Sequence, residues 1–240
     1  MSNLAEQERN TIARREMLAA IRRQLAASAP FDAVRDEHHP APDIVARSSA
    51  TVPADAPVDP PVERFRKALE AVSGDCIVVS NELEAAEALQ QIIEQKQAAR
   101  IAVSDAPLVE RVMRQTKHNA ELMPNAAAPD LFACDAGITS AQWAIAETGT
   151  LVLESEAERH RLSSLVPPVH IAIIEAARIR QTLSEVLQAL SQQGHDGLSP
   201  TVTLITGPSR TSDIELTLAI GVHGPGELYV VIIDDGPRDA

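Results

Sequence analysis

The chain has 240 residues, of which 45% are hydrophobic and 23% charged but only 2% aromatic, a composition that argues against proteins that stack bases on aromatic platforms. Lys+Arg number 21 against Asp+Glu 34, a net charge of -13, which speaks against a general nucleic-acid or anionic-membrane binder because phosphate contacts need a basic face. The 2 cysteines, Cys76 and Cys134, are too few for a disulfide framework or for an iron–sulfur cluster held within one chain.

The first 61 residues contain no glycine, yet seven of the 16 prolines lie between positions 30 and 61. Leu18, Ile21 and Leu25 recur at helical spacing among Arg14, Arg15, Arg22 and Arg23, so an amphipathic helix is expected over 4–27. The stretch to Pro61 reads as an extended arm, since proline fixes φ and removes a donor. The arginines suit a basic handle for an acidic neighbour, such as another copy of this chain; a helix docked on its own domain, or a frayed end, is the alternative. The start is charged and lacks the apolar core of a signal peptide. No uncharged apolar run reaches the roughly 18 residues needed to span a bilayer. The expectation is a cytoplasmic protein with an N-terminal arm over 1–61 and a domain over 62–240.

From residue 62 the pattern alternates. A helix is expected over 62–72 (Phe65, Leu69 and Val72 on one face), a buried strand at 76–80, and a helix over 82–97 capped by Asn81. A second strand follows at 100–104, and Asp105-Ala106-Pro107 opens another helix with proline in its first turn. Strands and helices in this alternation imply a parallel α/β sheet. Two β-prone runs, 142–146 and 150–153, flank a turn at Glu147-Thr148-Gly149 and suit a hairpin. Residues 169–175 read as a strand, 178–192 as a helix, 202–206 as a strand, 211–220 as a helix and 227–234 as the last strand.

Four stretches carry candidate chemistry. The first is GPSRTSDIE at 207–215, where a strand leads into an expected helix. Gly207 lets a ligand approach the backbone, Ser209 and Thr211 offer hydroxyls, Arg210 offers a planar fork, and Asp213 is a further polar group. Unpaired N–H groups at a helix start, at the carboxyl end of a parallel strand, would favour an anion; a plain helix cap is the alternative. The second is AETGT at 146–150: Glu147 in apolar surroundings would be partly desolvated and suited to act as a base or nucleophile, or it simply points to water from a turn. The third is GVHGPGE at 221–227, where His223 sits between Gly221 and Gly224 in an expected tight loop; histidine is the residue type suited to proton transfer near neutral pH, and a glycine-rich turn with a surface histidine is the alternative. The fourth is RLSSLVPPVHIAII at 161–174, with Arg161 and two serines within reach of a ligand and His170 at a strand start. His160, His170, His223, Glu147 and Asp213 lack the paired spacing of a zinc site, and neither a phosphate-binding loop nor a dinucleotide fingerprint occurs, so no metal or cofactor is expected in this chain.

AIAETGTLVL at 144–153, RLSSLVPPVHIAII, ITGPSRTSDIE at 205–215 and GVHGPGELYVVIID at 221–234 follow one another in an order that closely resembles the lactate-utilization protein C family, whose core is the LUD domain. The likeness covers roughly 62–240. It implies a three-layer α/β sandwich around a mostly parallel sheet, like that of the ribose-5-phosphate isomerase and CoA-transferase superfamily. It implies a subunit of a system that oxidises L-lactate to pyruvate, with iron–sulfur clusters in partner subunits. Glu147 and His223 would then be the catalytic candidates. Thr148, Gly149, Thr150, Arg161, His170, Gly207, Ser209, Arg210, Thr211, Asp213 and Gly224 would surround a small anionic ligand. A non-catalytic assembly subunit, or a CoA-transferase- or isomerase-like enzyme on another substrate, is the competing reading. The acidic surface and the arm are compatible with a homodimer.

Overall fold

Capped helices alternating with short apolar strands organise the chain from residue 61. The computed structural model describes residues 19–20, 59–124, 126–158, 161–192, 199–212, 218–221 and 223–236. The chain divides into two units, Met1–Pro57 and Val58–Ala240. In the first, Ala19 and Ala20 are described and helical, and the rest of the expected helix and arm lies outside the described residues.

In the second unit, α1 (Pro61–Ala71) begins with proline at its first position, where a missing N–H costs nothing, and buries Phe65 and Leu69. Strand β1 (Asp75–Val79) follows. Helix α2 (Glu82–Lys96) is capped as expected: the Asn81 side chain accepts the Glu84 N–H at 2.9 Å, while Glu84 reaches back to the Ser80 N–H at 2.8 Å. Then come β2 (Arg100–Val103), α3 (Pro107–Met113), β3 (Glu121–Pro124), the single turn α4 (Ala128–Leu131) and β4 (Ala136–Ser140). The hairpin forms where it was expected, as β5 (Trp143–Ile145) and β6 (Thr150–Glu154). A 3-10 turn at Arg161–Ser164 precedes β7 (Val169–Glu175). The remaining elements are β8 (Ile179–Arg180), α5 (Leu183–Gln192), β9 (Val202–Thr206), β10 (Arg210–Ser212), β11 (Leu218–Ile220) and β12 (Glu227–Ile233).

Six strands form one sheet in the order β1-β12-β7-β4-β2-β3, every described pair parallel. Every residue of β4 is buried, as are six of the seven in β7, which is why these strands carry few polar side chains. One face packs on α2 and α3 through Leu89, Val109, Ile171 and Val231. The other meets α1 and a four-stranded mixed sheet, β8-β5-β6-β9, through Phe65, Leu69, Leu151, Ile174 and Val230. Beyond that second sheet, Val186 and Leu190 of α5 cover Trp143, Ile145 and Val152. The mostly parallel sheet flanked by helices matches expectation, but the layer opposite α2 and α3 is itself largely sheet, and α5 adds a fourth layer to the three expected.

Two expected helices are corrected. The one at 178–192 starts only at Leu183, because Ile179 and Arg180 are drawn into the small sheet against Ala144 and Ile145. The one at 211–220 is strand at both of its described ends, where Arg210, Thr211 and Ser212 pair antiparallel with Ile220, Ala219 and Leu218; residues 213–217 lie outside the described residues. Ile214, Leu216, Leu218 and Ile220 alternate with polar or small residues, a period of two that suits a ribbon better than a helix.

Candidate functional site

Gly207 turns the chain at the end of β9 with φ +73°, and a Cβ there would lie 2.8 Å from the Val72 carbonyl oxygen, just past α1. The turn leads Ser209 into the loop before β12. The Ser209 N–H donates to the Pro225 carbonyl at 2.8 Å, and the Gly221 N–H donates to the Ser209 carbonyl at 3.1 Å. Gly224 lies so close that its Cβ would stand 3.3 Å from Ser209 Cβ. Two motifs separated in sequence are thus laced together by backbone bonds. Between them and the turn before β7 lies a cleft of about 510 Å³, with Gly207, Ser209, Arg210, His223, Gly224 and His170 among its walls. Arg210 and His223 are exposed.

The cleft differs from the expected one in two respects. With a turn and then strand β10 directly after Gly207 where a helix start was expected, the helix-dipole argument for an anion there falls, and the charge must come from the Arg210 side chain instead. The cleft also stands over the amino ends of β7 and β12, since His170 and Leu228 are each the second residue of their strand. Thr211 belongs to β10, Arg161 opens the 3-10 turn, and Asp213 and His160 lie outside the described residues.

His170 is the most constrained polar group of the cleft. It is 1% exposed, and its Nε2 lies 2.9 Å from Thr139 Oγ1. Its Nδ1 finds no hydrogen-bond partner. Burial without a compensating charge pushes its pKa down to about 3, so the ring is neutral at physiological pH. Gly137 pairs with His170 across β4 and β7, and a Cβ on Gly137 would fall 1.8 Å from the Ser163 carbonyl. Only glycine lets the turn before β7 settle against β4 here.

AETGT is placed elsewhere. Glu147 Oε1 accepts the Leu183 N–H at 2.9 Å, at the first residue of α5, and Oε2 stands 4.0 Å from Arg64 Nη2. Gly149 has φ +63°, and a Cβ there would lie 2.4 Å from the Leu69 amide of α1. Hydroxyls of Thr148, Thr150 and Thr206 form a chain with both steps at 2.7 Å. The motif locks the hairpin turn to α1, α5 and β9. Glu147 is therefore not among the groups lining the cleft, whereas Arg210 and His223 are. Among the described residues no three His, Cys, Asp or Glu side chains gather as a metal site, and no helix is long and apolar enough to cross a membrane.

Sequence reasoning passed over Ser140 and Glu158. Glu158 is 0% exposed; its Oε1 accepts the Ser140 N–H at 2.7 Å and the Ser140 hydroxyl at 2.5 Å. Its Oε2 has no partner, and desolvation raises its pKa. Nothing in the acidic tract 154–158 distinguishes Glu158 from Glu154 or Glu156, so no local signal could have found it.

The LUD domain family model matches residues 62–233. Lactate utilization protein C of Exiguobacterium sp. is 32% identical over 180 residues, covering 72% of this chain and 78% of that protein. An uncharacterized protein of Neisseria meningitidis is 42% identical over 99 residues, covering 41% of this chain and 42% of that protein, so that match spans less than half the relative's length. A solved structure of a DUF162 family protein from Deinococcus radiodurans shares the fold at a TM-score of 0.58 and 23% identity, covering 74% of this chain and 99% of that one.

Proposed function

The chain belongs to the lactate-utilization protein C family, whose LUD domain it carries at residues 62–233, and from that premise we propose that it is a subunit of a system oxidising L-lactate to pyruvate, binding a small carboxylate- or phosphate-bearing ligand in the cleft between β9 and β12. The observation that carries this reading is the buried, neutral His170 with its Nδ1 unpaired at a cleft that also presents Ser209 and Arg210. A buried polar atom left bare costs about 1–3 kcal/mol, a deficit that a bound ligand can remove. Arg210 would take the anionic group through its planar fork, and His170 would exchange a hydrogen bond with a neighbouring hydroxyl or keto oxygen. His223, exposed at the rim, would be the group that moves a proton. With its low pKa, His170 is a hydrogen-bond anchor rather than a base. Iron–sulfur partner subunits would carry the electrons away, and residues 1–61, with five Arg and three Glu in the first thirty, are assigned to docking such partners in the cytoplasm.

Kinship with the ribose-5-phosphate isomerase and CoA-transferase superfamily fits a mostly parallel sheet flanked by helices. Thioester attack by Glu147 is not part of the proposal, because that carboxylate already accepts the first N–H of α5. The test is calorimetric titration of the full chain with lactate, pyruvate, propionate and inorganic phosphate. Lactate or pyruvate should bind more tightly than propionate, which matches them in charge but lacks the extra oxygen. Arg210→Ala should weaken binding about tenfold, some 1.4 kcal/mol. No heat from any of these anions would remove the proposal.

A further inference from the structure

The sheet order opens a second crevice at the opposite end of the strands. β2 and β4 are neighbours, but the chain leaves β2 for α3, which packs on one face, and leaves β4 for the hairpin, which packs on the other. Neighbouring parallel strands whose connections part in this way leave a gap at their carboxyl ends, the place where α/β sheets usually take ligands. A cavity of about 270 Å³ extends from there across the end of β7, with Arg111, Ser140, Gln142, Trp143, Glu175 and Arg178 among its walls. That is just under the roughly 300–1,000 Å³ of sites for drug-sized molecules, and suits something smaller.

Its chemistry is set by two guanidinium groups around one half-exposed carboxylate. Glu175 stands 4.0 Å from Arg111 Nη2 and 3.9 Å from Arg178 Nε. Both separations exceed hydrogen-bond length, so Glu175 offsets charge without filling these N–H directions. Arg178 is steadied against the Trp143 ring, 5.3 Å from its centroid, and Arg111 is anchored to Glu82 at 2.7 Å. Two other polar groups at this end are already committed: Glu154 accepts the Trp143 indole N–H at 3.1 Å, and Gln142 donates to Ser140 Oγ at 3.1 Å. Ser140 in turn gives both of its protons to the buried Glu158 Oε1, which fixes the serine from outside the lining of the crevice.

We propose that this crevice is a second binding site, for a small oxyanion, held between Arg111 and Arg178 with Ser140 at its polar end and Glu158 as the positioning residue for Ser140. The site is separate from the cleft lined by Arg210 and does not depend on the reading of that cleft.

Trp143 is the chain's only tryptophan and forms part of the crevice wall, so its emission responds to binding there. The full chain is titrated with inorganic phosphate and, separately, with acetate, at ionic strength held constant with chloride. A saturable change in emission is expected, and the anion with the lower half-saturation identifies a phosphate or a carboxylate site. Arg178→Gln should raise half-saturation about tenfold, while Arg114→Gln, an exposed arginine elsewhere on the surface, should leave it unchanged. Glu158→Gln, which keeps an acceptor for Ser140, should retain binding that Glu158→Ala loses. The proposal is overturned if neither anion gives a saturable change, or if Arg178→Gln titrates like the parent chain. Equal behaviour of the two Glu158 variants would overturn the positioning role.

Discussion

His170 and Glu158 are both buried, both have one unpaired polar atom, and they respond to pH with opposite signs. The depressed pKa of His170 means that below about 6.5 the unfolded chain binds a proton the folded chain refuses. Its contribution is complete above that pH and is lost as pH falls towards about 3. Urea unfolding should show stability dropping by about 1.4 kcal/mol per pH unit across the upper part of this window, with the slope much reduced in His170→Gln. Glu158 runs the other way. Its raised pKa makes the folded chain the better proton binder, so its contribution is complete below the unfolded carboxylate pKa and is lost as pH climbs through the folded value. Glu158→Gln should remove that loss, so the variant gains on the parent as pH rises above the ordinary carboxylate range in the same unfolding series. Gly137 makes a purely steric prediction. With the Ser163 carbonyl 1.8 Å from where a Cβ would sit, Gly137→Ala should cost about 3 kcal/mol, read as a fall in Tm.

At the scale of elements, AETGT shows how one motif can serve packing while looking chemical. Its glutamate terminates on the first N–H of α5 and its glycine admits the backbone of α1. Glu147→Ala should lower stability by about 1 kcal/mol, the typical loss of a helix-start hydrogen bond, with the affinity of the Arg210 cleft for anions unchanged. A tenfold loss of affinity in a folded variant would return Glu147 to the site. Elements also mark where the chain was readable. The helix over 82–97 was legible because Asn81 caps it and its apolar positions repeat, strand 169–175 because it is an apolar run after Pro167-Pro168, and strand 202–206 because its β-branched run ends at Gly207-Pro208. Strand β4, the sequence AGITS, was not read, since its glycine and serine lower β-propensity and only burial between β7 and β2 selects that conformation. The ribbon β10–β11 was misread although its period of two was visible, because Thr-Ser-Asp after Gly-Pro is also a good helix start.

At the scale of the whole molecule, the two sheets create two concavities at opposite ends of the strands. One gathers GPSR and GVHG over the amino ends of β7 and β12; the other gathers Arg111, Ser140 and Arg178 beyond the carboxyl ends of β4 and β7. Local pattern alone determined the α/β class, the parallel sheet, the hairpin and, through four ordered motifs, the family, since periodicity, caps and turn residues act over a few positions. Which side chains share a hollow was decided only in three dimensions. Strand order brings residues nearly sixty positions apart into contact, as where the Gly226 N–H donates to the Pro168 carbonyl at 2.9 Å, and sends others close to the same motifs, such as Glu147, to a different neighbour. Burial did the rest: it left His170 and Glu158 each with a bare polar atom, a property that depends on every surrounding element and that no stretch of sequence carries by itself.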